Sequence, residues 1–314
     1  MIFGVDIGGT NIKIGRFDSD GELLEKWSVK TDLSDCGKKI VPLVAESIEK
    51  NIVQAGLEKK DVKGIGMGIP GPVDPNGYVK KCVNLNWNDF NPVEELRNFF
   101  PDCVIRAGND ANVASLGEYC KGAGKDASSM MMVTLGTGVG GGVIIDGKII
   151  IGAHGIAGEI GHIAVTEMEE RCNCGNRGCI DQCASATGIV KTAKKILEEC
   201  EEPSRLRELA VLTSKDVCGL AKEKDALAVQ CIERCMYPLG KGLAYFSHAF
   251  DPEVYVIGGG VSLAGDIIIE AVRKGYEDNL FLLRKGADIR LAELGNDAGI
   301  IGACALAAKE QDEK

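Results

Sequence analysis

The first thirty residues alternate between apolar runs and glycine-rich or polar turns. Residues 2–7 are mostly apolar and are followed by Gly8-Gly9-Thr10-Asn11, which we name the first glycine turn. Residues 12–17 are again apolar, and a polar turn at 18–21 separates them from residues 22–29. Because Gly, Asn and Asp supply turn geometry between strand-like runs, this segment predicts a three-stranded meander.

The same pattern returns at residue 130. Residues 130–135 lead into Gly136-Thr137-Gly138, which we name the second glycine turn, and residues 139–145 return from it. An Asp-Gly pair then separates that run from residues 148–151. A strand, a glycine turn, a second strand and a hairpin are thus repeated, which is typical of duplicated architecture.

Each meander is followed by helical periodicity and further strand-like runs. The predicted helices are residues 38–55, 109–119, 184–200, 225–250 and 298–309, and the predicted further strands are 62–69, 103–107 and 253–257. The pattern predicts an α/β protein with two similar domains that face one another. We place a smaller domain at 1–119, with the final helix 298–314 packed back on it, and a larger domain at 120–297.

Composition narrows the function classes. The 314 residues are 45% apolar and 26% charged, with a net charge of −10. A nucleic-acid surface needs a basic stripe, so we expect no nucleic-acid partner. No apolar run approaches the ~20 residues that span a bilayer, and no signal peptide is evident at the start. We therefore expect a cytoplasmic protein without a membrane partner.

The two glycine turns are candidate phosphate sites. Glycine lets the backbone approach phosphate oxygens closely, and N–H groups together with the Thr10 hydroxyl can donate to them. Asp6, at the end of the first strand, can hold Mg²⁺ through water. The alternative for each turn is a hairpin without a ligand, but a pair of such turns favours a nucleotide.

A third glycine segment, Gly258-Gly259-Gly260, follows a buried strand and precedes a helix. Such a loop offers a flat platform for adenine or ribose. The alternative is an ordinary connection between a strand and a helix.

Three cysteines lie within eight residues, and a histidine precedes them by ten positions. Cys172, Cys174 and Cys179 surround two glycines, and together with His162 they make a tetrahedral structural zinc set. The alternative is a disulfide or unrelated thiols. We expect the scattered cysteines elsewhere to be reduced and buried, namely Cys36, Cys82, Cys103, Cys120, Cys200, Cys218, Cys231, Cys235 and Cys304.

Taken together, these motifs resemble those of the ROK sugar kinases, a group within the actin/hexokinase fold. The matching segments occur in the family's order over nearly the whole chain: 6–11, 68–73, 109–112, 136–142, 158–162 and 172–179. The resemblance implies two ribonuclease H-like domains flanking a cleft, with MgATP and a hexose as substrates. Regulatory members place a DNA-binding domain ahead of this core. The first strand here begins at residue 2, so we expect an enzyme.

Phosphoryl transfer to an alcohol needs an acceptor for the hydroxyl proton, and Asp110 is our candidate base. The resemblance assigns it the same role. Asn109 beside it can donate to and accept from sugar hydroxyls. The alternative is that Asn109 or Asp110 only caps the helix that follows.

The resemblance also implies sugar contacts by Glu159, His162, Asp181 and Gly71, and zinc binding by His162, Cys172, Cys174 and Cys179. Asp181 stands where glucokinase-like members commonly have Glu, so its carboxylate is one methylene shorter. That departure concerns the choice of sugar and leaves the kinase hypothesis intact.

These observations predict an ATP-dependent hexose kinase, with glucose and its 6-hydroxyl as first choice. Mannose, fructose, allose and N-acetylated hexosamines such as N-acetylmannosamine are alternatives, as is a sugar-responsive regulator that transfers nothing. On general grounds we expect a symmetric homo-oligomer, a dimer or a tetramer.

Overall fold

The structure is a computed structural model that describes residues 1–281 and 286–308. Its strands are β1 (Ile2–Ile7), β2 (Asn11–Phe17), β3 (Leu23–Lys30), β4 (Gly64–Ile69), β5 (Val79–Cys82), β6 (Trp87–Phe90), β7 (Val104–Asn109), β8 (Ser129–Leu135), β9 (Val139–Ile145), β10 (Lys148–Ile150), β11 (Val254–Gly258) and β12 (Asp288–Leu291). Its helices are α1 (Ile40–Gln54), α2 (Pro92–Arg97), α3 (Asp110–Lys121), α4 (Ile180–Ala184), α5 (Ala186–Glu199), α6 (Ser214–Lys222), α7 (Ala226–Phe250), α8 (Asp266–Asn279) and α9 (Ala298–Ala308).

The first sheet has the strand order β3-β2-β1-β4-β7. Strands β1 to β3 form the predicted antiparallel meander, and β4 and β7 extend the sheet in parallel to β1. The successive residues Ile2, Phe3, Gly4 and Val5 on the central strand are all buried, so both faces of this strand are covered. The carboxyl ends of β1, β4 and β7 lie at one edge, which brings together the residues that follow them.

The second sheet repeats this arrangement with the order β10-β9-β8-β11-β12. Strands β8 to β10 form the second predicted meander, and β11 and β12 run parallel to β8. Two sheets with equivalent strand order confirm the prediction of two similar α/β domains. The hairpin β5–β6, helices α2, α4 and α6, and strand β12 were not predicted from the sequence.

The described chain divides into two compact units. The first unit comprises residues 1–125, 151–156 and the described residues from 296 onward, and the second comprises 126–150 and 157–295. The sequence-based boundary between 119 and 120 stays a prediction. Of the predicted final helix, residues 309–314 lie outside the described residues.

Helix α9 packs closely on the first sheet because both surfaces are made of small residues. A Cβ atom on Gly4 would lie 1.9 Å from the carbonyl oxygen of Ile300, and one on Gly66 would lie 1.8 Å from that of Ala303. Only glycine permits such backbone contact between a strand and a helix. Helix α9 also packs against α3, so it contacts both β1 and α3.

All thirteen cysteines have free thiols. Cys82, Cys218, Cys231, Cys235 and Cys304 are buried, as predicted. The prediction was wrong for Cys36, which lies exposed in a turn. It was only partly right for three cysteines that are half-buried: Cys103, Cys120 and Cys200. Among the helices of the described residues, none is both long enough and apolar enough to cross a bilayer.

Candidate functional site

The first glycine turn is closed by a hydrogen bond from the Gly8 amide to the Asn11 carbonyl, 3.0 Å long. A Cβ on Gly8 would lie 2.8 Å from that carbonyl oxygen, so the turn requires glycine there. Thr31, which is buried, donates its hydroxyl to the Gly8 carbonyl at 2.7 Å and its amide to the Thr10 carbonyl at 2.9 Å. The turn is therefore held rigidly, with Gly9 and Thr10 exposed.

Asp6 lies at the end of β1, directly opposite Lys13 in the antiparallel register of β1 and β2. The Lys13 Nζ atom is 3.6 Å from Asp6 Oδ2 and donates to the Asn296 carbonyl at 3.3 Å. Burial raises the pKa of Asp6, and Lys13 opposes that shift. Sequence reasoning missed Lys13. The hairpin register around the first glycine turn would have indicated it, because residues 6 and 13 pair across that turn.

Asn109 ends β7 and caps α3. Its side-chain oxygen accepts from the Asn112 amide at 3.1 Å, and its Nδ2 atom donates to the Gly71 carbonyl at 3.1 Å. The same Nδ2 atom donates to Asp110 Oδ1 at 3.0 Å. Gly71 adopts a positive φ of 103°, a conformation that favours glycine. The structure thus brings Gly71, Asn109 and Asp110 together as predicted residues of one site.

Asp110 is an exposed residue whose carboxyl has a raised pKa. Desolvation by the surrounding protein raises its pKa to about 6, although part of the carboxyl remains open to solvent. The Ala111 amide donates to its Oδ1 at 2.8 Å and opposes the shift, whereas the negative charge of Asp6 adds to it. Asp110 stands at the start of α3, so helix capping by Asn109 and a fixed carboxylate occur together.

The unpredicted hairpin β5–β6 contributes to the same edge of the first unit. The Cys82 thiol donates to the Pro70 carbonyl at 2.8 Å, and burial raises the pKa of this thiol. A Cβ on Gly9 would lie 3.2 Å from the Asn84 carbonyl oxygen. The hairpin therefore packs on both the first glycine turn and the segment before Gly71.

The second glycine turn is closed by a hydrogen bond of 2.9 Å from the Gly136 amide to the Gly138 carbonyl. The Val139 amide, which follows the turn, donates to Asp181 Oδ1 at 2.7 Å. Thr137 and Gly138 are exposed. Like the first turn, this one is closed by a backbone hydrogen bond and exposes its central residues.

The third glycine segment lies beside the second turn within the second unit. Gly259 has a positive φ of 87°, and a Cβ there would lie 2.5 Å from the Leu135 carbonyl oxygen. The Ser262 hydroxyl donates to the Gly259 carbonyl at 2.8 Å. Gly259 and Gly260 are exposed, which suits a platform for a flat ligand.

The four predicted zinc ligands form one cluster, with their ligand atoms all within 4.8 Å of one another. The Cys172 Sγ atom is 3.8 Å from His162 Nδ1, and the Cys174 and Cys179 Sγ atoms are 3.6 Å apart. Ligand atoms around tetrahedral zinc are roughly 3.5–3.8 Å apart, given Zn–S and Zn–N bond lengths. The donor set and its spacing therefore fit zinc.

Glu159 lies in the same loop, just before the short 3₁₀ turn Ile160–His162, and is exposed. Cys179 is the N-cap of α4, and Asp181 lies in the first turn of that helix. The loop therefore joins the candidate sugar residues Glu159 and His162 to Asp181. The predicted site residues of the first unit are Asp6, Gly8, Gly9, Thr10, Asn11, Gly71, Asn109 and Asp110, and the others belong to the second unit.

Comparisons with known proteins agree with this architecture. The model of the ROK family matches residues 2–310. A glucokinase from Halalkalibacterium halodurans is 40% identical over 315 aligned positions, which cover 98% of this chain and 95% of that enzyme.

Two solved structures extend the comparison. The ROK hexokinase from Thermus thermophilus has a TM-score of 0.82 and 31% identity, covering 98% of this chain and 97% of that one. A ROK family glucokinase from Streptomyces griseus, solved with glucose and AMPPNP, has a TM-score of 0.78 and 32% identity, with 98% of each chain covered. On the family match and these identities, the chain belongs to the ROK family.

Proposed function

We propose that this protein is an ATP-dependent hexose kinase, with glucose as the first choice of substrate and its 6-hydroxyl as acceptor. The observation that supports the proposal most directly is Asp110, a carboxyl with a pKa of about 6 held at a helix start in the same unit as Asp6 and the first glycine turn. The relatives named glucokinase or hexokinase support the same activity.

The chemistry assigned to Asp110 is general base catalysis. The sugar hydroxyl oxygen forms a bond to the γ-phosphorus of ATP, the bond from that phosphorus to the β,γ-bridging oxygen breaks, and ADP leaves. The hydroxyl proton passes to the Asp110 carboxylate. A pKa of about 6 suits this role, because the carboxylate is ionised at neutral pH and more basic than an ordinary Asp.

The remaining residues position the nucleotide. In the first unit, the exposed residues Gly9 and Thr10 would offer backbone N–H donors to phosphate, Asp6 would hold Mg²⁺ through water, and Lys13 offers a positive charge beside Asp6. In the second unit, Thr137 and Gly138 are phosphate donors. There, Gly259 and Gly260 would form the platform for adenosine, whereas Gly258, also predicted for this role, is buried at the end of β11.

The metal centre has a structural role in this proposal. Three cysteines and a histidine complete a tetrahedral zinc and leave no position for substrate. His162 faces the cluster through Nδ1, so its Nε2 atom is the one assigned to a sugar hydroxyl. Zinc would cross-link the loop that positions Glu159 and His162.

Sugar contacts are assigned separately within each unit. Asn109 and the Gly71 segment supply contacts from the first, and Glu159 and His162 from the second. Mannose, fructose, allose and N-acetylmannosamine are the alternative acceptors, and a sugar-responsive regulator without transferase activity is the alternative function. We further propose a cytoplasmic homo-oligomer, a dimer or tetramer.

The test is ADP release from purified protein and MgATP with glucose, mannose, fructose, allose, N-acetylglucosamine or N-acetylmannosamine. We expect glucose to stimulate release most, and we expect Asp110→Asn to lower turnover by about 10³-fold or more without unfolding the protein. Stimulation by another sugar would reassign the substrate. No stimulation by any sugar, from folded and zinc-loaded protein, would favour the regulator.

A further inference from the structure

The second glycine turn is held by a single short segment of the second unit. The Ala186 amide donates to the Gly136 carbonyl at 2.8 Å, and the Thr187 hydroxyl donates to the Thr137 carbonyl at 3.1 Å. Asp181 Oδ1 accepts from the Val139 amide at 2.7 Å. All three partners lie between residues 181 and 187, so the conformation of the turn depends on the junction of α4 and α5.

Within that segment, Asp181 makes the shortest contact and the one with a formal charge. Hydrogen bonds from an N–H group to a carboxylate are roughly twice as strong as neutral ones. A Cβ on Gly138 would lie 2.7 Å from Asp181 Oδ1, which shows how closely the carboxylate packs on the turn. The contact turns the Val139 N–H inward and leaves Thr137 and Gly138 exposed.

The side chain of Asp181 starts from a fixed backbone. Its own carbonyl accepts from the buried Ser185 hydroxyl at 2.6 Å, and the same hydroxyl accepts from the Gly188 amide at 3.1 Å. Cys179, two residues earlier, caps α4 and belongs to the zinc cluster. These contacts fix the backbone from which the Asp181 carboxylate reaches the second glycine turn.

We propose that Asp181 is a positioning residue for the second glycine turn, and hence for ATP phosphate. The proposal rests on the proposed function only for the identity of the bound nucleotide. Its consequence is that Asp181 acts on the nucleotide through the Val139 amide, whereas Glu159 and His162 are the second-unit residues assigned to sugar above.

The experiment compares Asp181→Ala, Asp181→Asn and Asp181→Glu with Glu159→Gln as the matched control for a sugar contact. Calorimetric titration with MgADP, in the absence of sugar, gives the nucleotide Kd. Steady-state kinetics give the KM for ATP and the KM for the best sugar. Zinc content and thermal unfolding establish that each variant is folded and metal-loaded.

We expect Asp181→Ala to raise the nucleotide Kd and the KM for ATP by about tenfold, the loss expected for one charged hydrogen bond. Because this Kd is measured without sugar, its rise reports on the nucleotide site alone. Asp181→Asn should retain much of the affinity, because the amide oxygen still accepts from Val139, and Asp181→Glu should fall between the two. Glu159→Gln should show the opposite pattern, with only the sugar KM raised.

The proposal is overturned if folded, zinc-loaded Asp181→Ala leaves the nucleotide Kd unchanged. Should Asp181→Ala fail to fold, Gly138→Ala provides the second test. The added methyl group pushes the carboxylate off the Val139 amide and should raise the nucleotide Kd in the same way. Unchanged nucleotide binding in Gly138→Ala would contradict the proposal.

Failure of the proposed function would look different. If the wild-type protein binds MgADP but phosphorylates no sugar, the kinase assignment fails and the calorimetric comparison still decides the role of Asp181. If the wild-type protein binds no nucleotide, both proposals are wrong.

Discussion

The Nδ2 atom of Asn109 donates to the carbonyl of Gly71 across 38 positions of sequence, at 3.1 Å. Through this bond the end of β7 is tied to the loop after β4, and Asp110 follows directly on the fixed residue. The side chain of Asn109 also caps α3 through its oxygen. The side chain of Asn109 therefore both caps α3 and fixes the backbone position of the candidate base, Asp110.

These two roles of Asn109 can be separated by substitution. Asn109→Asp keeps an oxygen to accept from the Asn112 amide but removes the donor to Gly71. We expect it to unfold at nearly the wild-type urea concentration and to raise the sugar KM about tenfold. Asn109→Ala should show the same kinetic defect and also lose about 1 kcal/mol of stability with the cap. Equal stability of the two variants would contradict the capping role.

The pKa of Asp110 predicts the acid limb of the pH–rate profile. Since the carboxylate form is the base and its pKa is about 6, the kcat/KM for the sugar should fall about tenfold per pH unit below that value. The measurement is kcat/KM between pH 4.5 and 8, with unfolding followed in parallel. A profile that stays flat down to pH 5 would exclude Asp110 as the titrating group.

The same shift has a consequence for stability. An unfolded Asp titrates near pH 4, at about 3.9, so the folded state binds this proton more tightly. The contribution of Asp110 to the free energy of unfolding therefore becomes less favourable as the pH rises from about 4 to 6. Asp110→Asn removes this dependence, and urea unfolding of both proteins across that range should show the variant gaining relative stability toward pH 6.

The position of Lys13 beside Asp6 predicts that its substitution weakens nucleotide binding. Lys13→Met removes the positive charge beside Asp6, and we expect the KM for ATP to rise about tenfold while the sugar KM changes little. Lys26→Met is the matched control, because Lys26 forms an ion pair with Asp297 on an exposed surface at 2.6 Å and its loss should leave both KM values unchanged. An equal rise in the KM for ATP in both variants would indicate that net charge, and not the position of Lys13 beside Asp6, affects nucleotide binding.

The cysteine–histidine cluster predicts near-stoichiometric zinc in the purified protein. Cys174→Ser should lose most of that zinc and lower the Tm by ~5–10 °C, because metal binding contributes to folding of the loop. Cys36→Ser is the control, since this thiol is exposed and lies outside the cluster. Zinc analysis and thermal unfolding of the wild-type protein, Cys174→Ser and Cys36→Ser test the prediction. A wild-type protein that contains no zinc and has the same Tm as Cys174→Ser would refute it.

The close packing of α9 predicts a large effect of one methyl group. Gly66→Ala should destabilise the protein by about 1–3 kcal/mol, because the added Cβ overlaps the Ala303 carbonyl. Gly219→Ala, within α6 and with open space around its Cβ position, should instead stabilise it by about 0.5–1 kcal/mol. Urea unfolding of both variants gives the two free energies, and a neutral Gly66→Ala would contradict the packing described.

The sequence by itself determined the features that depend on neighbouring residues. The glycine turns, the two meanders and the metal cluster follow from turn chemistry, alternation and ligand spacing, and each predicted strand of the meanders was recovered to within a residue or two. Asp110 could be placed at the start of a helix because the capping signal of Asn109 is local.

Tertiary structure decided the contacts between distant segments. The donation from Val139 to Asp181 joins residues 42 positions apart, and the Asn109 bond to Gly71 joins residues 38 positions apart. The raised pKa of Asp110 comes from desolvation by packed neighbours, which no local pattern contains. Such contacts depend on how strands and helices pack, because a side chain's reach and its loss of water are properties of the folded surroundings rather than of adjacent residues.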